Sequence, residues 1–221
     1  MTAVPPHSAL VRITHWVNAV SFAALAVSGM AILLAHPRLY WGETGALGAP
    51  SLVDLPLPML LTGQSGWGRS LHFLAAWGCV LSGVVYAVAG VTSGHWRRDL
   101  VPARRDLGAG LAAHLRPRRP VADSDLAYNP AQRLAYSLVV FALVPAMVWT
   151  GLAMSPAVTA VLPFLVTAVG GQQSARTIHF FIAVGLVFFA LGHLAMVALS
   201  GFGVRMRGMT IGRREVRVGR A

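Results

Sequence analysis

From Thr177 to Val204 the chain carries no Asp, Glu, Lys or Arg, yet it contains His179 and His193. About 20 consecutive apolar residues suffice to cross the ~30 Å hydrocarbon layer as a helix, so this stretch reads as a membrane span. Lipid offers backbone N–H and C=O groups no partners, so the chain must fold into helices that close their own hydrogen bonds. Two imidazoles in such a span need a reason. The 14-residue spacing returns His193 to within about 40° of the face of His179, with a rise of roughly 21 Å between them. One helix face therefore offers nitrogen ligands at two depths. A lone histidine in a span often just bonds a neighbouring helix, and the pair becomes informative only if other helices supply partners at matching depths.

Three further apolar segments supply those helices, giving expected spans at about 15–35, 70–94, 134–154 and 177–204. The third contains Pro145, which membrane helices tolerate as a kink. Residues 36–69 form a Pro- and Gly-rich connection (His36-Pro37, Leu55-Pro56-Leu57-Pro58, Gly66-Trp67-Gly68), expected to make a cap or docking surface. A second connection, 155–176, contains an apolar stretch at 157–170 that is too short and too broken by Pro163 and Gly170-Gly171 to span. The fold class is thus an all-α integral membrane protein, a four-helix bundle forming one domain over 1–221.

Charge fixes the expected orientation. A net charge of +11 is compatible with nucleic-acid binding, but all 18 basic residues are arginines that sit in or beside the connections, which fits a membrane-topology signal better. With four spans, Arg12, the arginines from Arg97 to Arg133 and those from Arg205 to Arg220 share one side, and only Arg38, Arg69 and Arg176 fall on the other. By the positive-inside tendency both termini and the 95–133 loop are cytoplasmic. Within that loop, Arg104 to Leu115 could lie on the membrane surface as a basic helix. The N-terminal segment is too long, and lacks a clear cleavage site, for a removable signal.

Depth then sorts the histidines into two pairs: His72 with His179 towards the outer surface, and His15 with His193 towards the inner one. His7, His36, His95 and His114 lie in loops or at helix ends, where solvation is the ordinary role. Zinc and copper sites usually gather three or four protein ligands, whereas two axial imidazoles suffice for an iron already held by a porphyrin. The lone Cys79 offers no cysteine cluster, and no C-x-x-C-H attaches haem covalently, so each pair is read as axial ligands of a non-covalent b haem. Three of the histidines follow an arginine at the same spacing: Arg12-x-x-His15, Arg69-x-x-His72 and Arg176-x-x-His179. Residues three apart share a helix face, so each guanidinium could hold a haem propionate. Interfacial arginine is the plainer explanation for Arg12, but Arg69 and Arg176 lie on the arginine-poor side. Gly29, Gly78, Gly83, Gly185 and Gly192 are candidates for the small residues a flat cofactor needs beside it.

The pattern resembles the di-haem cytochrome b subunits of bacterial respiratory oxidoreductases, those of formate dehydrogenase, nickel-iron hydrogenase and especially thiosulfate reductase, and bacterial cytochrome b561. His15-Trp16, His36 to Gly42, Tyr128-Asn129-Pro130 and Arg176-x-x-His179-Phe180 carry the likeness, which covers nearly the whole chain; the extra helix frequent in the hydrogenase branch is missing. The resemblance implies two haem b in a bacterial inner membrane, with quinone as exchangeable substrate. It also implies a soluble outer-side partner, a molybdopterin oxidoreductase, docked on the 36–69 and 155–176 connections. The chain would then be an electron-transfer subunit rather than a complete enzyme, in contact with lipid and not with nucleic acid. One rival is a stand-alone b561-type superoxide:quinone oxidoreductase; another is a cofactor-free transporter or anchor. A quinone site is expected near His15, with Arg12 and Asn18 in reach.

Overall fold

The computed structural model describes residues 8–45, 49–57, 66–94, 96, 130–199 and 201–212. The expected surface helix at 104–115 lies outside the described residues, as do His7, His95, His114, Tyr128 and Asn129. In chain order the elements are α1 (Ala9–Ala35), β1 (Arg38–Leu39), β2 (Val53–Asp54), α2 (Gly66–Thr92), and α3 (Pro130–Leu138), which continues through a π turn (Val139–Leu143) into α4 (Val144–Ala153). The single-turn helices α5 (Pro156–Thr159) and α6 (Phe164–Thr167), then α7 (Gln172–Leu199) and α8 (Phe202–Thr210), complete the order.

Among the described residues, four helical segments are long and apolar enough to cross a membrane: Ala9–Ala35, Gly66–Thr92, Leu134–Ala153 and Gln172–Leu199. Large apolar side chains such as Val20, Leu74 and Phe188 point outward from them, as lipid-facing residues do. The chain is a four-helix membrane bundle. Several boundaries differ from those read in the sequence: α1 starts at Ala9 rather than at His15, and α7 at Gln172 rather than at Thr177. Gly66-Trp67-Gly68 begins α2 rather than ending the preceding connection. The last span stops at Leu199, because Gly201 takes a left-handed conformation with φ of 95° and turns the chain into α8. Pro145 sits at the start of α4, and the wider π turn just before it absorbs the break that its missing N–H would make.

Small residues bring α1 and α2 together in an antiparallel pair. The Ser82 hydroxyl donates to the Thr14 carbonyl at 3.3 Å, Gly78 lies against Ser21, and Gly68 against Ala31. Close helix packing among the described residues lies within α1/α2 and within α4/α7, while pairings across these two hairpins are sparse. At the end of the bundle where the chain passes from α1 to α2, called the loop end, β1 and β2 pair antiparallel, with Arg38 and Asp54 bridged at 3.1 Å. The strap that follows, 40–43, caps α7. The Gly42 carbonyl accepts from the Gln173 and Ser174 amides, the Ser174 hydroxyl accepts from the Gly42 amide, and Thr177 donates to the Tyr40 carbonyl. These bonds satisfy donors that a helix start leaves open. At the opposite end, where α1 begins and α8 lies, called the termini end, Trp16 donates to the Met209 carbonyl and ties α1 to α8.

Gly171 makes the strap possible. Its φ is +111°, and a Cβ there would lie 2.5 Å from the Gly42 carbonyl group. Gly171→Ala is expected to cost about 1–3 kcal/mol, from forcing alanine into the left-handed region and displacing the strap. Gly185→Ala, where a Cβ meets nothing within 4 Å, should leave the melting temperature unchanged or raised. Thermal melts of the two variants followed by circular dichroism check this, and equal midpoints would contradict the capping role.

Candidate functional site

Four histidines project between the two hairpins at two levels. At the loop end, His72 of α2 and His179 of α7 face each other with ring centroids 6.3 Å apart. At the termini end, His15 of α1 and His193 of α7 stand 6.2 Å apart. All four rings are half-buried. Edge-to-face aromatic pairs also fall in this range. A single ion bound by two opposed imidazoles at about 2 Å each likewise sets their centroids roughly 6 Å apart. Near-equal separations at both levels favour the second explanation, since bare packing has no reason to repeat the spacing. No group of three or more His, Cys, Asp or Glu gathers to hold a metal among the described residues. Two imidazoles at each level suffice as axial donors for a porphyrin iron, so the residues present fit haem.

The loop-end rings are firmly held. His72 Nδ1 lies 3.0 Å from the Ser28 hydroxyl on α1, and His179 Nδ1 lies 2.9 Å from the Thr150 hydroxyl on α4. With Nδ1 engaged in both, Nε2 is the nitrogen left for a metal. Gly29 and Gly151 lie alongside: a Cβ on either would come to 3.6 Å from the ring Cε1 of His72 or His179. Of the glycines read from the sequence as cofactor neighbours, Gly29 meets a histidine, Gly78 packs α1 against α2, and a Cβ at Gly83, Gly185 or Gly192 would meet nothing within 4 Å.

Aromatic rings surround the termini-end pair. Phe189 stacks on His193 at 15° between planes, Tyr136 stands edge-on to it with its hydroxyl 3.5 Å from Nδ1, and Trp16 is edge-on to His15. Asn18, one turn beyond His15, has its Oδ1 buried with no partner among the described atoms.

The arginines separate by level. Arg12 lies half-buried one turn before His15. Arg69 and Arg176 converge on the loop end near His36, and the Arg176 guanidinium donates to the His36 carbonyl. Partial burial of its ring, and then the nearby Arg176 and Arg69 charges, hold the His36 imidazole below the usual histidine value. The loop end therefore carries a concentration of positive charge suited to carboxylates.

Sequence reasoning missed Ser28, Thr150 and Gly151. The signal was present as a hydroxyl-glycine doublet, Ser28-Gly29 and Thr150-Gly151, in the helix beside each loop-end histidine.

The family model of prokaryotic cytochrome b561 matches residues 6–212. A putative protein-methionine-sulfoxide reductase subunit YedZ1 from Azospira oryzae is 31% identical over 194 residues, covering 87% of this chain and 90% of that protein. No solved structure matches significantly. With four membrane-crossing helices and a match along nearly its whole length, the chain belongs to the prokaryotic cytochrome b561 family, bacterial membrane proteins that bind haem b and transfer electrons.

Proposed function

We propose that the chain holds two b haems, one between His72 and His179 and one between His15 and His193, and passes electrons along the bundle between quinone and a soluble oxidoreductase. The observation that carries this reading is the repeated imidazole separation, 6.3 Å at the loop end and 6.2 Å at the termini end, on helices that cross the membrane. When bound, haem supplies the one-electron chemistry; the chain supplies ligands, orientation and tuning. The Arg69 and Arg176 guanidiniums are suited to the propionates of the loop-end haem, and Arg12 to those of the other. Asn18, with its unpaired buried Oδ1, is the polar group beside which a quinol hydroxyl would find an acceptor.

Arginine distribution supports a cytoplasmic placement of both termini in the bacterial inner membrane, which puts the loop end outside. The partner would then dock from outside on the β1–β2 ribbon and the α5–α6 connection. The sequence resemblance suggests a molybdopterin oxidoreductase. The relative's name suggests a second choice, a methionine-sulfoxide reductase, and also supports a subunit role. The loop-end arginine cluster favours one further reading, a stand-alone oxidation of superoxide at that face.

Proteoliposomes separate the readings. The proposal expects quinol to reduce both haems and an oxidised soluble partner to reoxidise them. Reduction by superoxide, with electrons passing to quinone and no partner present, would establish the stand-alone activity instead. Failure of quinol to reduce either haem would overturn the quinone-linked role.

A further inference from the structure

We infer that Ser28-Gly29 and Thr150-Gly151 are two copies of one device that locks His72 and His179 as Nδ1–H tautomers, and that the two hydroxyls lower the potential of the loop-end haem. The inference rests on the proposal that these histidines are haem ligands.

The two copies agree in detail. Ser28 and Thr150 are both buried, at 0% and 2% exposure. Each hydroxyl back-bonds along its own helix: Ser28 Oγ lies 2.7 Å from the Ala24 carbonyl and 3.2 Å from that of Leu25, and Thr150 Oγ1 lies 2.8 Å from the Ala146 carbonyl and 3.1 Å from that of Met147. A hydroxyl has one proton, and here a carbonyl takes it. The oxygen can therefore only accept from the imidazole, which must donate through Nδ1–H. The hydroxyl contact at each Nδ1 thus selects one tautomer, the one whose Nε2 lone pair is free for iron. In each copy the following glycine lets the backbone run alongside the ring, leaving 3.6 Å between a hypothetical Cβ and the ring Cε1. Side chains much larger than methyl would push the ring off its axis.

The consequence is electronic as well as geometric. Donating Nδ1–H to an acceptor makes the imidazole a stronger base towards its metal. A stronger donor favours ferric over ferrous iron, so the hydroxyls lower the potential. At the termini end the Tyr136 hydroxyl lies 3.5 Å from His193 Nδ1, so that pair is tuned by different neighbours. Ser28 and Thr150 touch no iron; they are positioning residues.

The test is a redox titration of the purified full chain with its haems, followed by optical and low-spin ferric electron paramagnetic resonance spectra. The Ser28→Ala/Thr150→Val double variant should shift one haem about tenfold towards the ferrous form, about 59 mV upward for a one-electron couple, with the second haem unmoved. Ser28→Thr and Thr150→Ser, which keep the hydroxyl, should restore the wild-type potential. If the double variant fails to hold haem, the isosteric Thr150→Val alone reads the same upward shift. An unchanged potential with both haems retained, or the same shift in the hydroxyl-keeping variants, would overturn the inference. Retention of both haems by His72→Ala would instead overturn the underlying ligand assignment.

Discussion

His72→Ala and His179→Ala are each expected to lower the haem content of the purified protein from about two to about one per chain. The reasoning runs from the absence of any covalent anchor. No C-x-x-C-H motif tethers a porphyrin, so a haem between the hairpins is retained by its axial bonds, its propionate partners and apolar packing. Removing one imidazole of the pair that now stands 6.3 Å apart leaves a single ligand and an open coordination position at the loop end. The fold should survive, because alanine is a good helix former and the α1/α2 seam keeps its Gly68–Ala31 and Gly78–Ser21 contacts when the His72–Ser28 contact is lost. Pyridine-haemochrome quantitation against protein concentration checks the expectation. Two haems retained in either variant would show that the substituted residue is not a ligand.

His193→Ala and His15→Ala should remove the other haem and leave the loop-end one with its potential intact. The functional effect is then larger than the loss of half the iron. With quinol bound at the termini end near Arg12 and Asn18, the remaining haem lies roughly 21 Å of helix rise away, as the spacing of His179 and His193 requires. Quinol should no longer reduce it at a measurable rate, although dithionite still does. Stopped-flow reduction by quinol in proteoliposomes reads this directly. Reduction at the wild-type rate would place the quinone site at the loop end instead.

The spans and the histidine pairing were legible in the sequence for physical reasons. An uncharged run long enough to cross lipid has few folds open to it, and the spacing of His179 and His193 fixes their common face once the run is helical. The pairing with His15 and His72 followed from depth alone. Packing between helices was not legible. Ser28 and Thr150 look like ordinary hydroxyls that bond back along their own helix, as they do, and only the antiparallel seam of α1 with α2 brings Ser28 to His72. Nor does local sequence show that the 40–43 strap returns to cap α7, a contact 129 or more residues distant in the chain that depends on the left-handed backbone of Gly171. The π turn ahead of Pro145 was hidden for another reason: proline announces a break in the ladder, and the neighbouring turn decides how the break is absorbed.

The most direct test of the account is the haem stoichiometry of the wild-type chain, purified in detergent, by pyridine haemochrome with a potentiometric titration of the reduced-minus-oxidised spectrum. The account predicts about two b haems per chain that titrate as two one-electron components. One haem per chain, or a single component lost completely in both His72→Ala and His193→Ala, would contradict the two-level arrangement.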